Sequence, residues 1–355
     1  MTNVVDATRS YERWLRDRCA VVPSDLRVKH RLTAESPFVF LRGTFYRWMQ
    51  LWPKVCEDLA RTPRVLAVGD LHIENFGTWR DAEGRLVWGV NDVDEAYELP
   101  YTLDLVRLAA SALLASRARH FAVSQRAACD AILAGYVKAV EHGGRPFVLA
   151  ERHQWLRTIA VHRLRDPRIF WSRLAGNPPA RGAVPHAALR TLLPDRRLAY
   201  QTHRRIAGVG SLGRPRFVAI AIVGGSQIAR EAKAAVPSAC SWARGDKTSS
   251  LYCETILAGA IRVRDPFFGV AAGWIVRRLA PDCTRIELTD LPREREEIKL
   301  LRAMGWETAN VHLGTLDARV GADLRRQPRG WLQRSAAAMA SAVVRDWREW
   351  RSSRP

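Results

Sequence analysis

The hexapeptide GVGSLG, Gly208 to Gly213, has the GxGxxG spacing, and the residues after it restrict the fold. In a dinucleotide-binding βαβ unit the glycines open a helix whose N-terminus carries the pyrophosphate. Here the next residues are RPRFVAIAIV, with Pro215 and then a β-branched apolar run. That is a strand signal. Strand, glycine loop and strand make a hairpin whose backbone N–H groups can cover phosphates. The same residues also suit a plain turn, since glycine takes positive φ at little cost. Alone, the spacing is a weak pointer.

Two acidic stretches lie upstream. GDLHIENFG, Gly69 to Gly77, comes directly after the apolar run RVLAV, and NDVDEA, Asn91 to Ala96, directly after LVWGV. Both runs read as strands, with a turn signal at DAEG, 81–84, between them. If the two strands pair as a hairpin, their outer ends bring Asp70 and Asn75 near Asp92. Hard oxygen donors from two loops suit Mg²⁺, which takes one or two carboxylates plus phosphate oxygens and water. An Asp five residues before an Asn in one loop is the order of a phosphotransferase catalytic loop, in which the Asp takes a hydroxyl proton and the Asn holds metal. Asp and Asn are also ordinary turn residues. Two such loops in the right order and separation favour the functional reading.

Elsewhere the texture changes twice. Residues 1–60 read as helix-rich, and helical character resumes at Leu103 and continues to about 200, with a Pro/Arg-rich loop at 177–186. Residues 201–285 read as a β-rich part, with strands on both sides of the glycine loop, a further one at Ile228–Ala232 and another at Gly273–Leu279; Leu251–Ile261 reads as helix. Residues 286–355 return to helix. The division expected is therefore 1–200, 201–285 and 286–355. With 355 residues, 47% of them apolar, the chain can bury a core without staples. Six scattered cysteines include no CxxC, the apolar runs are too short to span a membrane, and no signal peptide leads the chain. These point to a reduced cytoplasm. The formal charge of +20 raises the possibility of a polyanionic partner. Arginine, however, is spread over the whole chain with no basic block interleaved with aromatics, so a nucleic-acid partner is disfavoured.

GDLHIEN resembles the HGDxHxxN loop of the aminoglycoside and choline phosphotransferases, which have the protein-kinase-like fold. DVDEAYELPYTLDLVRLA is similar, without gaps, to their second loop. The longer form, GDxHxxNFG with NDxDEA and DLxRLAAS, resembles more closely an uncharacterised bacterial family, domain of unknown function 2252. That likeness extends over most of the chain, including SPFVFLRG at 36–43. The resemblance implies Asp70 as the base, Asn75 and Asp92 as metal ligands with Asp94 a further carboxylate, and Asp104 bracing the catalytic loop. His72 is read as an organiser of that loop, bonded to a neighbouring backbone group or to Asp104. Val68 stands where the phosphotransferases have His.

For the nucleotide, the expected residues are Gly208, Gly210, Ser211 and Gly213, with a cation on the next strand and an acid on a helix. Arg230 stands where the family pattern has Lys, Lys233 is its rival, and Glu254 is the candidate acid. Because the glycine loop comes about 130 residues after the catalytic loop rather than before it, the implied fold is an α+β, two-lobed kinase-like one with circularly permuted order. The expected function is an ATP/Mg²⁺-dependent phosphotransferase acting on a hydroxyl of an unknown small-molecule or protein acceptor, with no membrane partner. Transfer of AMP on the same fold, a degenerate nucleotide-binding module and a basic polyanion binder are the alternatives.

Overall fold

The computed structural model describes residues 2–119, 123–162, 164–247, 249–286 and 294–353. The chain is a mixed α+β protein with ten strands among those residues: β1 Arg64–Ala67, β2 Phe76–Arg80, β3 Leu86–Val90, β4 Tyr97–Pro100, β5 Phe147–Val148, β6 Tyr200–Arg204, β7 Arg216–Val223, β8 Ser226–Ala234, β9 Phe268–Ala271 and β10 Trp274–Leu279. They form a two-stranded sheet β1-β4, a three-stranded sheet β2-β3-β5 and a five-stranded antiparallel sheet β6-β7-β8-β10-β9.

The hairpin expected between the RVLAV and LVWGV runs does not form. β1 pairs with β4, and β3 pairs with β2, the strand FGTWR that begins inside the first acidic motif. Asp81–Gly84 makes the turn of that β2–β3 hairpin, with the Asp81 carboxylate accepting the Arg85 N–H at 2.8 Å. The two acidic loops still meet, by another route. One joins β1 to β2 and the other joins β3 back to β4, so both cross between the same two small sheets.

The helix Tyr101–Arg119 is the centre of the molecule. Its side chains from Tyr101 to Ala115 are buried on every face, as expected of a helix with apolar residues all round. The helix Trp331–Ser352 lies against it, as does Gln125–His142, which in turn packs on Glu294–His312. That last pair approaches backbone to backbone: a Cβ on Gly135 would collide with the Arg302 carbonyl, and one on Gly305 with that of Ile132. In the five-stranded sheet, β7 and β8 are joined by Gly224–Gly225, both at positive φ (56° and 77°), as a tight two-residue hairpin requires. The helices Pro167–Ala175 and His186–Arg190 cover this sheet, burying Phe170, Leu174 and Leu189 against Val218, Ala229 and Ala232.

Candidate functional site

The central helix grips the first acidic loop with one face. Asp104, Arg107 and Ser111 stand at i, i+3 and i+7, one stripe of a helix. The Asp104 carboxylate accepts the N–H groups of Val68 (2.7 Å) and Gly69 (2.9 Å), and its Oδ2 lies 3.0 Å from Nε2 of His312. Ser111 Oγ accepts the N–H of Ile73 at 3.1 Å. Arg107 donates through Nε to Asp70 Oδ1 at 3.0 Å and forms a closer contact through Nη2. The same guanidinium donates to the Leu41 carbonyl at 2.8 Å and lies over the rings of Phe45 and Trp48.

Asp70 therefore sits at a fixed place. Burial pushes its pKa up to about 7; Arg107 opposes that shift, and Glu95 and Asp92 add to it. A carboxylate that titrates near neutrality can serve as a general base. Asn75 donates its side-chain N–H to the Asp70 carbonyl at 2.7 Å, which holds the amide and turns its oxygen the other way. His72 Nδ1 accepts the Glu74 N–H at 3.2 Å. Burial, with Arg42, Arg107 and Arg285 nearby, keeps its pKa well below the usual range, so His72 is a neutral organiser of the loop. Its partner is backbone; the side chain that meets Asp104 is His312.

The second loop ties the sheet to this helical body. Lys233, at the end of β8, forms a close ion pair with Asp94 and lies 3.8 Å from Asp92. Glu95 accepts from Arg214 (3.0 Å), from Ser238 Oγ (2.9 Å) and from the Ala239 N–H (2.6 Å), the start of the helix Ala239–Arg244. Asp92 is the more open carboxylate. Burial would raise its pKa, but Lys233, Arg277, Arg216 and Arg285 together hold it low, so it stays charged. Burial and the neighbouring Asp92 push Asp94 the other way.

The glycine loop closes the cleft from above. Gly208, Gly210 and Ser211 line it together with Asp70, His72, Asn75, Asp92 and Asp94. A Cβ on Gly210 would stand 3.1 Å from the Arg42 carbonyl and 3.4 Å from Asp70 Oδ2. Lys29 donates to the Gly210 carbonyl at 3.0 Å, and Ser211 Oγ accepts from Arg216 at 2.6 Å. Gly213 is not in the lining. It stands at φ 101° against Leu26, and its carbonyl accepts the Val22 N–H at 2.8 Å.

Two further expected nucleotide residues, Arg230 and Glu254, also lie outside the cleft. Arg230 is on the opposite face of β8, donating to the Leu192 carbonyl at 2.7 Å and lying over the Phe267 ring. Side chains alternate along a strand, so Glu231 and Lys233 share the cleft face and Arg230 does not. Lys233, the rival, is the cation beside Asp92. Glu254 accepts the Val270 N–H at 3.0 Å at the edge of the sheet and does not reach the cleft. Sequence reasoning missed Lys29, Arg107 and Glu95. An arginine set among Leu105, Val106, Leu108 and Ala109 was a legible signal for Arg107, because a buried guanidinium demands partners.

Among the described residues no group of three or more His, Cys, Asp or Glu gathers as a metal cluster. The donors that converge are an amide oxygen and one or two carboxylates, a hard and incomplete set of the sort Mg²⁺ completes with phosphate oxygens and water. The cleft between these residues and the glycine loop holds about 50 Å³. A second cavity of about 540 Å³ adjoins it and shares Asp92, Gly208 and Arg285. No helix among the described residues is long and apolar enough to cross a membrane.

Neither the curated proteins nor the solved structures hold a match to this chain. A family model described as an uncharacterized protein conserved in bacteria (DUF2252) matches residues 18–166 and 186–353, most of the chain. With its GDLHIEN and NDVDEA loops facing one cleft, the chain belongs to this uncharacterised bacterial family.

Proposed function

We propose that this protein is an ATP/Mg²⁺-dependent phosphotransferase of protein-kinase-like fold, with its lobes in circularly permuted order. The observation that carries the reading is convergence. The glycine loop, far downstream in the chain, lies in the same cleft as Asp70, Asn75 and Asp92. A turn-residue explanation of each motif predicts no such meeting.

In this reading Asp70 orients the acceptor hydroxyl and takes its proton. The acceptor oxygen attacks the γ-phosphorus, the bond to the β-bridging oxygen breaks, and ADP leaves. Asn75 and Asp92 would hold Mg²⁺, which neutralises charge on the phosphate oxygens when bound. Lys233 supplies a cation on the sheet side, in place of Arg230. The Asp104 brace and the Arg107 clamp fix the base before substrate arrives, which is where most of the effect of such a site lies. The β-rich part with its glycine loop is the small lobe. The helix Glu294–His312 completes the large lobe from the far end of the chain and reaches the catalytic loop through His312 and Asp104.

Calorimetric titration of ATP with Mg²⁺ into the wild type and Asp92→Ala tests this. Magnesium-dependent binding in the wild type, weakened at least about tenfold in the variant, is the expected outcome. Equal binding by both proteins, or none by the wild type, overturns it.

A further inference from the structure

The cavity of about 540 Å³ beside the acidic cleft has the volume of a small-molecule site, whereas the cleft itself has room for little more than an ion and its water. Its lining is unusual for its size. Arg165, Arg205, Arg277, Arg278 and Arg285 face it, with Asp92 and Gly208 at the side shared with the cleft. Small-molecule pockets are mostly apolar with a few polar groups; here the apolar side chains, Phe170 and Leu279 among them, are the minority.

The positive charge is only partly balanced. Glu231 is buried on the cleft face of β8 and is shared between Arg205, Arg216 (2.8 Å) and Arg277 (2.9 Å). One carboxylate thus serves three guanidiniums. Arg278 lies over the Phe267 ring and donates to the Arg80 carbonyl at 3.3 Å, and its Nε is buried without a partner. Arg285 has Glu74 at 3.9 Å, but Glu74 is held closer by Arg42, at 2.5 Å. Among the described residues no carboxylate forms an ion pair with Arg165 or Arg278. Burial and the neighbouring Arg42 hold Arg285 below the usual guanidinium range, the direction an incoming anion would reverse.

We infer that this cavity binds a small molecule through several phosphate groups, laid along the arginines and ending at Asp92. The guanidinium fork matches phosphate oxygens two at a time, which suits a chain or cluster of phosphates better than a lone carboxylate. Four segments, Arg165–Phe170, Arg205–Gly208, Arg277–Arg285 and Asn91–Asp92, supply its walls, and its volume is that of a small molecule. That this molecule is a substrate rests on the phosphotransfer reading; that the cavity binds phosphates does not.

Two sources supply the same chemistry. The phosphates belong either to the donor nucleotide's own tail or to a phosphorylated acceptor. In either case the acceptor oxygen attacks the γ-phosphorus, the bond to the β,γ-bridging oxygen breaks and ADP leaves; the cavity holds the donor's phosphates in the first case and the acceptor's in the second.

The probe is inorganic tripolyphosphate, titrated by calorimetry without magnesium into the wild type, Arg165→Gln, Arg165→Gln/Arg278→Gln, and a control, Arg345→Gln/Arg348→Gln. Arg165 is exposed, so its replacement spares the core, and the control removes equal charge from the far helix Trp331–Ser352. Binding is expected to weaken roughly tenfold for each cavity guanidinium lost and to stay within about twofold of wild type in the control. No binding by the wild type, or equal weakening in the control, overturns the inference. Competition between tripolyphosphate and ATP assigns the phosphates to the nucleotide tail, and independent binding of the two assigns them to a second molecule. Loss of magnesium-dependent ATP binding with tripolyphosphate binding intact would sink the phosphotransfer reading alone.

Discussion

The two loops that meet in the cleft are held in opposite ways. The acidic loop at Gly69–Asn75 is gripped from behind by Asp104, Arg107 and Ser111 of a buried helix, and its own side chains are tied to its own backbone. The glycine loop hangs from the edge of a sheet, with Gly208 and Gly210 exposed, and is held by Lys29 and Arg216. One side of the site is tied to a buried helix and the other rests on a few bonds from Lys29 and Arg216. That is the division expected when one loop positions a reacting group and the other closes over a ligand, because segments that must move come from the weakly tied part of a structure.

The comparison breaks most sharply at Asp104. Asp104→Ala leaves the N–H groups of Val68 and Gly69 buried without an acceptor and His312 without its carboxylate. Removing one member of such a buried network costs about 3–5 kcal/mol. Urea unfolding of Asp104→Ala should show that loss, with Ser211→Ala, on the glycine loop, within about 1 kcal/mol of wild type. A similar small change in both would mean that the acidic loop is no more firmly built than the other.

This asymmetry also decides what could be read in advance. GDLHIEN and NDVDEA announce themselves because their residue types are costly unless used, and the helix-rich and β-rich stretches are set by local periodicity. The pairing of β1 with β4 is not, because short apolar runs carry no record of their partner. FGTWR was hidden because Gly77 and the acidic motif made it look like loop, and YELP because Glu98 and Pro100 weaken its strand signal. On β8 the alternation of Arg230, Glu231, Ala232 and Lys233 is plain in the sequence, but which face meets the cleft is set by the sheet's docking. Lys29 and Arg107 come from helices far along the chain, and only the tertiary fold brings them to Gly210 and Asp70.

A second effect, on the order of 4 kcal/mol, concerns the cost of preparing Asp70. Burial raises its pKa from the usual carboxylate range to about 7. The folded state therefore holds a proton that the unfolded chain gives up near pH 4. The stability contributed by that proton is full below about pH 4 and is lost as pH rises through about 7. Asp70→Asn keeps an oxygen for Arg107 and removes the titration. The wild type should match or exceed the variant at pH 4–5 and fall below it by pH 8, with activity of the wild type rising over the same interval as the base deprotonates. Parallel stability curves for the two proteins would mean that Asp70 is ionised throughout and is not the tuned base.

The smallest effect separates two glycines of one loop. Gly213 stands at φ 101°, and a Cβ there would come within 2.5 Å of Leu26. Gly210 has no such constraint; a Cβ there meets the Arg42 carbonyl at 3.1 Å and Asp70 at 3.4 Å, contacts that a small shift of the loop relieves. Gly213→Ala should cost about 1–3 kcal/mol of stability through backbone strain and the clash at the root of the loop. Gly210→Ala should leave the unfolding midpoint within about 1 kcal/mol and instead change the affinity for ATP with Mg²⁺, since the methyl group projects into the cleft beside Asp70. A loop that only turned the chain would give the opposite pattern at Gly210, with no change in nucleotide affinity. The two substitutions, measured side by side by denaturant and by calorimetry, tell a closing loop from a turn without reference to any acceptor.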